Sequence, residues 1–480
     1  MKICVLQPDY STTGVDYKNY DPPRNLSPLL AGHVVDHVFL NKLTTYRQLK
    51  ELKKKNYDCF VNLCEGYLEW EVPSIDVIHS FDLLDLPHTG PSAKLYDPTK
   101  ELMKYVAFCE GVNTPGYVLV EKLTDADIVE KQLRYPLFVK PAKAGDSLGV
   151  DDRSLVYNKE ELKSKIAEIL DEYGPLLVEE YIDGREFTVL VAANEEERTC
   201  TVFKPVEYKF PEGRSFKTYA LKTSELHPDC NFPCEDPALD KELRAAAERI
   251  FKGFNGVGYA RLDFRVNNNG AVYFLEINFT CSVFYTNGYE GSADFILKFD
   301  GIGQAGFLEH IISEGIARHR RKQKNYTVKG NSIAGYGIYA NRIIRSGELI
   351  FRGEERSQRL VTRRHVDLNW NEEEKEIFRR YAYPVSNEVF LLWDEDPTGW
   401  APQNHSCQPN TAYDGLNVIA LRNIKKGEEL TLDYASMLDD ENMEPFECRC
   451  GSRKCRGLVT GSTKNSVTKR EKQARVLNGQ

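Results

Sequence analysis

At 480 residues the chain exceeds what one hydrophobic core usually holds, so two or three domains are expected. A net charge of −9 excludes a protein whose whole surface grips nucleic acid, and no apolar run is long enough to cross a bilayer. Hydrophobic residues at 41%, aromatic residues at 11% and charged residues at 28% describe ordinary globular domains with ample core material. The opening run Met1-Lys-Ile-Cys-Val-Leu6 is too short for a secretory signal and reads as a first β-strand. Twelve cysteines, eight of them scattered without framework spacing, suit a reducing intracellular compartment, cytoplasmic or nuclear.

Residues 1–320 mix short Val/Ile/Phe-rich runs with helical stretches. Tyr57 to Leu63 reads as a strand, and Lys159 to Leu170 as an amphipathic helix. Strands alternating with helices predict α/β lobes. Within them, Phe138-Val-Lys140-Pro141 is a strand running into a loop of small residues that ends at Gly149-Val150. Such a loop can turn its N–H groups on an anion, with Lys140 as a point charge beside it; the alternative is an ordinary turn. Leu177 to Val189 reads as strand, turn, strand. Main chain at Glu179, Glu180 and Ile182 would suit an adenine edge and Glu186 a ribose diol, against the alternative of a solvated hairpin. Ala260 to Arg265 and Phe274 to Asn278 flank a turn at Asn267–Gly270, and period-two alternation puts Asp263, Glu276 and Asn278 on one face. Hard oxygen ligands so clustered suit Mg²⁺ bridging nucleotide phosphates.

Taken in this order, the segments resemble the ATP-grasp fold, and D-alanine–D-alanine ligases most closely, over about 1–318. Leu86-Pro87-His88-Thr89-Gly90-Pro91-Ser92, Asp97-Pro98-Thr99-Lys100 and Phe216-Lys217-Thr218-Tyr219-Ala220-Leu221-Lys222 share the resemblance. It implies a Rossmann-like N-terminal lobe (1–95) followed by two ATP-grasp lobes (96–318). Lys100 and Lys140 would contact the ATP phosphates, Glu179, Glu180 and Ile182 adenine, and Glu186 the ribose. Lys222 would touch the transferred phosphoryl group, Asp263, Glu276 and Asn278 would bind Mg²⁺, and Arg261 would steady the transition state. The implied reaction activates a carboxylate of a small amino acid or peptide as an acylphosphate for attack by an amine. The family's Pro-Gly after Glu-x-Asn is replaced here by Phe279-Thr280-Cys281-Ser282-Val283-Phe284, and Glu65-Gly66 stands where an amine would be recognised.

A basic stretch, Arg318 to Lys324, reads as a helix end entering a linker (319–326), after which the texture becomes short strands and Gly-rich turns. One helix is expected there, Asn371 to Tyr381, with Asn371 as N-cap. Cys448-Arg-Cys450-Gly-Ser-Arg-Lys-Cys455 with Cys407 offers four soft thiolates, the donor set of a closed structural zinc site. Past 460 the chain is polar and basic, a disordered tail able to bind anionic partners.

Gly335 to Ala340, Asn404-His405-Ser406-Cys407-x-Pro409-Asn410 and Gly427-Glu-Glu-Leu-Thr-Leu-Asp-Tyr434, followed by the cysteine run, resemble a SET-domain protein lysine methyltransferase (327–437) with its post-SET zinc segment (438–460). The resemblance implies S-adenosylmethionine against Tyr336-Gly337 and Asn404-His405, Tyr434 as the catalytic tyrosine, and a protein or peptide lysine as acceptor, with histones among the candidates. The expected fold class is therefore α/β and α+β multidomain, an ATP-grasp ligase followed by a β-rich SET domain. Two further readings stay open at this point: a methyltransferase whose first domain only binds nucleotide, and a non-catalytic zinc scaffold.

Overall fold

The structure, a computed structural model, describes residues 1–13, 21–66, 71–142, 149–194, 199–216, 228–356, 358–386, 388–393, 401–436 and 445–461. The chain divides into two compact units, Met1–Lys322 and Gln323–Gln480. No described helix is long and apolar enough to cross a membrane.

Among the described residues the first unit holds three sheets. A parallel sheet of Val34–Leu40, Lys2–Pro8 and Cys59–Asn62, in that order, packs Cys4, Leu6 and Phe60 against Leu49 and Phe81 of the helices Thr45–Lys53 and Ile75–Leu84. An antiparallel sheet orders Tyr117–Val120, Leu176–Glu180, Leu137–Pro141 and Leu155–Val156. Behind it lies the helix Lys159–Tyr173, whose Leu162, Ile166 and Ile169 are buried at helical spacing. Asn158 caps this helix by accepting the Glu161 N–H, and Gly174 ends it with φ 78°. A larger antiparallel sheet, centred on Gly184–Asn194 and Tyr259–Asn267, is backed by Pro237–Gly253.

The strand, turn and strand expected over Leu177 to Val189 are present, and the turn carries the chain from one sheet to another rather than closing a hairpin. Leu176–Glu180 belongs to the four-stranded sheet and Gly184–Asn194 to the six-stranded one. Gly184, with φ 143°, makes the crossing: a Cβ there would run into the Val266 carbonyl and lie 3.0 Å from Asn267 Cα.

The second unit is built from short strands. Tyr326–Asn331 pairs with Gly335–Ala340, and Leu349–Phe351, Asn417–Ala420 and Thr411–Asp414 form a three-stranded sheet over Ile338, Ile344, Ile424 and Leu430. Gln358–Thr362, Val389–Trp393 and Tyr383–Pro384 form another. The helix Glu372–Tyr381 begins at a reciprocal cap, in which Asn371 and Glu374 each accept the other's backbone N–H at 2.9 Å. A parallel pairing of Asn404–His405 with Thr431–Leu432 brings the two sequence motifs of this unit together.

Candidate functional site

In the first unit a cleft opens between the four- and six-stranded sheets. Lys100, Lys140, Glu179, Glu180, Ile182, Glu186, Asp263 and Glu276 all line it, with Phe138, Tyr181, Phe216 and Arg265. The register explains the grouping of the acids. Asp263 sits opposite Glu276, and Arg261 opposite Asn278, on the paired strands Tyr259–Asn267 and Val272–Asn278. Arg261 reaches Asp263 through two hydrogen bonds of 3.2 and 3.3 Å. Burial alone would push its guanidinium down, but Asp263 beside it raises it above the ordinary range. Asn278 presents a buried amide nitrogen without a hydrogen-bond partner on this face. Since an amide's N and O are exchangeable by a flip, the oxygen is available as a third hard ligand beside the two carboxylates, and this donor set fits a magnesium ion.

Sequence reasoning missed Lys104, which organises the phosphate end of the cleft. It is 2% exposed. Its Nζ lies 2.5 Å from Glu179 Oε1, while Lys140 Nζ lies 2.7 Å from Glu179 Oε2. Burial would push the Glu179 carboxyl up, yet the two lysines hold it down at about 2. Burial lowers Lys104 to about 8, with Glu179 opposing, so the pair stays ionised at neutral pH. Burial likewise lowers Lys100, against the raising influence of Glu276. The signal available in sequence was the i, i+4 spacing of Lys104 from Lys100 on the helix Lys100–Cys109. The Glu180 carboxylate is occupied, accepting the Arg134 N–H at 3.0 Å. Lys222 and the loop 143–148 lie outside the described residues.

In the second unit, Asn404 Nδ2 donates to the Tyr336 carbonyl at 2.9 Å and to Glu429 Oε1 at 2.7 Å. Asn331 Nδ2 holds the same Glu429 oxygen at 2.8 Å. Gly337 lies against this knot: a Cβ there would overlap Glu429 Oε1 and stand 2.9 Å from Asn404 Nδ2. Tyr336 is 55% exposed and Gly337 beside it is buried, so this strip of the strand sets an exposed tyrosine next to a residue with no side chain to bar close approach, a pairing that fits S-adenosylmethionine. Asn410, 2% exposed, locks the motifs from behind by donating to the Glu429 carbonyl at 2.7 Å and accepting the Thr431 N–H at 2.9 Å.

His405 connects this strip to the cysteines. Its Nδ1 accepts the Tyr434 N–H at 3.1 Å, which puts the ring proton on Nε2, 3.4 Å from Cys407 Sγ. Burial lowers its pKa, against the opposing charge of Asp433. The Tyr434 hydroxyl donates to the Gln403 carbonyl at 2.7 Å. The sulfurs of Cys407, Cys448, Cys450 and Cys455 all lie within 4.8 Å of one another. Four thiolates at this spacing fit one tetrahedral zinc ion with no position left open. Glu429 and Gln403 were not singled out in the sequence, because the first acts through its side chain in a charged turn and the second through its carbonyl.

Residues 109–285 match the family model for the D-ala D-ala ligase C-terminus, and residues 335–435 match that for the SET domain. The chain carries a D-alanine–D-alanine ligase-type domain and a SET domain. The D-alanine--D-alanine ligase of Geobacillus thermodenitrificans is 28% identical over 254 residues, covering 50% of this chain and 66% of that protein. That of Acetivibrio thermocellus is 32% identical over 206 residues, 42% of this chain and 50% of that protein. The chain thus spans between half and two thirds of the length of these two relatives. The solved D-alanine-D-alanine ligase from Coxiella burnetii aligns at 18% identity and a TM-score of 0.49, covering 67% of this chain and 97% of that one. Neither family model reaches the cysteine run of the SET-bearing unit or residues 1–108 of the ligase-bearing one.

Proposed function

We propose that the chain is a two-activity enzyme: an ATP-dependent carboxylate–amine ligase fused to a protein lysine N-methyltransferase. What supports it is that candidate residues for each chemistry lie together: Lys100, Lys140, Asp263 and Glu276 line one cleft, and Asn404 meets Tyr336 in the SET-bearing unit. In the ligase-type domain Lys100 and Lys140 would neutralise ATP phosphates, main chain at Glu179 to Ile182 would meet adenine, and Glu186 the ribose. Asp263, Glu276 and Asn278 would hold Mg²⁺, which supplies charge neutralisation at the transferring phosphoryl group. Arg261, fixed by Asp263, is aimed to stabilise the charge that develops there, and Lys222 joins it in this reading. The small-molecule substrates are an amino-acid or peptide carboxylate and a second amine. Cys281 and Ser282 stand where D-alanine ligases carry Pro-Gly, and Ser282 donates to Glu65 at 2.7 Å. The acceptor pocket is therefore differently lined, and D-alanine is not the acceptor this reading favours.

In the SET domain, Tyr336, Gly337, Asn404 and His405 would cradle S-adenosylmethionine, which supplies the methyl group. The Tyr434 phenol, tied to the Gln403 carbonyl, would orient a lysine amine in line for displacement. Zinc on Cys407, Cys448, Cys450 and Cys455 would be structural. The acceptor is a protein lysine, histone or otherwise.

The test is a pair of assays on the full chain: transfer of labelled methyl groups to proteins of a cell extract, and ADP release across an amino-acid panel. Tyr434→Phe should abolish only the first, and Glu276→Gln only the second. Zinc-loaded protein that binds neither ATP nor S-adenosylmethionine overturns the proposal.

A further inference from the structure

The nucleotide cleft contains a buried cation to which the reading above gives no task. Arg265 is 3% exposed and lines the cleft beside Glu186. The two residues are register partners on Tyr259–Asn267 and Gly184–Asn194, so their side chains rise from the same face. Nη2 donates to Glu186 Oε2 at 3.1 Å and to the Ser215 carbonyl. Nη1 donates to the Tyr181 hydroxyl at 2.9 Å and the Ile182 carbonyl at 3.2 Å. The guanidinium also faces the rings of Tyr181 and Phe210, whose centroids are 5.0 and 5.3 Å away. Four acceptors and two rings leave this planar fork a single orientation, and a fixed fork fixes the carboxylate it grips. A carboxylate has about four acceptor sites, so Glu186 can hold Arg265 and accept from a ligand hydroxyl at once.

We propose that Arg265 is the positioning residue for sugar recognition, holding Glu186 as acceptor for a ribose 2′,3′-diol, so that the cleft selects ribonucleotides over 2′-deoxyribonucleotides. The inference rests on the cleft being an ATP site and deepens that reading. Charge neutralisation alone would make no distinction between the two sugars. A held carboxylate does, because the missing hydroxyl removes a hydrogen bond to a charged group.

The test is calorimetric titration of the full chain with MgATP and with Mg-2′-deoxyATP. The wild type should prefer ATP by about tenfold or more, and Glu186→Ala should bring the two affinities to within about twofold. Arg265→Met should collapse the preference likewise. Arg265→Lys, which keeps the charge without the fork, should fall between, and it decides the matter if the Met variant does not fold. Arg265 variants that bind both nucleotides with the wild-type ratio overturn the positioning role while leaving the ATP site standing. A wild type that binds neither nucleotide overturns the ATP site itself and this inference with it.

Discussion

Tyr434 is held at both ends, its N–H by His405 and its hydroxyl by the Gln403 carbonyl. Tyr434→Phe keeps the first tie and loses the second, so S-adenosylmethionine binding should persist while methyl transfer falls about 100-fold or more, read as initial rates against titrated affinity. Lys104 makes the contrasting case. Lys104→Met strips one lysine from the buried Glu179 carboxylate, and breaking such a pair costs about 3 kcal/mol, seen as a lower midpoint in denaturant melts of the ligase-bearing unit. ATP affinity should fall with it, since Lys140 shares the carboxylate. At this scale the sequence was readable where side chains act as ligands in a motif. The cysteines, the Asp263–Glu276–Asn278 face and the Lys140 strand could all be read from spacing. Arg265 and Glu429 could not, and Lys104 showed only its spacing from Lys100, because the partners cited for all three lie 75 to 98 positions away, brought close only by folding.

Among elements, the helix Gly303–Lys322 is tied down by Arg318, which donates to the His88 and Gly90 carbonyls at 2.8 and 2.9 Å. His88 itself is buried and stacked on Phe81 with ring centroids 4.5 Å apart. Burial first, and the positive charges of Arg318 and Lys322 second, push its pKa well below 6.5. Unfolded His88 binds a proton below pH 6.5 and folded His88 does not, so this histidine's contribution is intact above that pH and is lost as pH falls. Stability of the ligase-bearing unit should drop by up to about 1.4 kcal/mol per pH unit from this group alone. Melts of His88→Asn between pH 7 and 5 should have a shallower slope than wild type. The helices at 159 and 371 were legible because their caps and periodicity are local. The strands and turn at 177–189 were legible too, but not that the turn crosses between sheets, because Gly184 looks like any turn glycine while it also passes close to the Val266 carbonyl.

For the whole molecule, the boundary after Lys322 follows a change of texture from α/β lobes to short strands, and each unit has its own apolar clusters. The SET-bearing unit has the smaller core, with its last strands, Phe446–Glu447 and Leu458–Val459, held by a single two-stranded pairing beside the cysteines. A chelator should therefore destabilise that unit and abolish methyl transfer, leaving the ATP affinity of the other unit unchanged. What composition could not reveal is the lining of each substrate pocket, since Cys281, Ser282 and Glu65 meet only across long stretches of chain. Calorimetric unfolding of zinc-loaded full chain, scanned alone, with MgATP and with S-adenosylmethionine, tests the central claim most directly. The account predicts two transitions, one raised by MgATP only and the other by S-adenosylmethionine only. Scans that neither ligand shifts would contradict it.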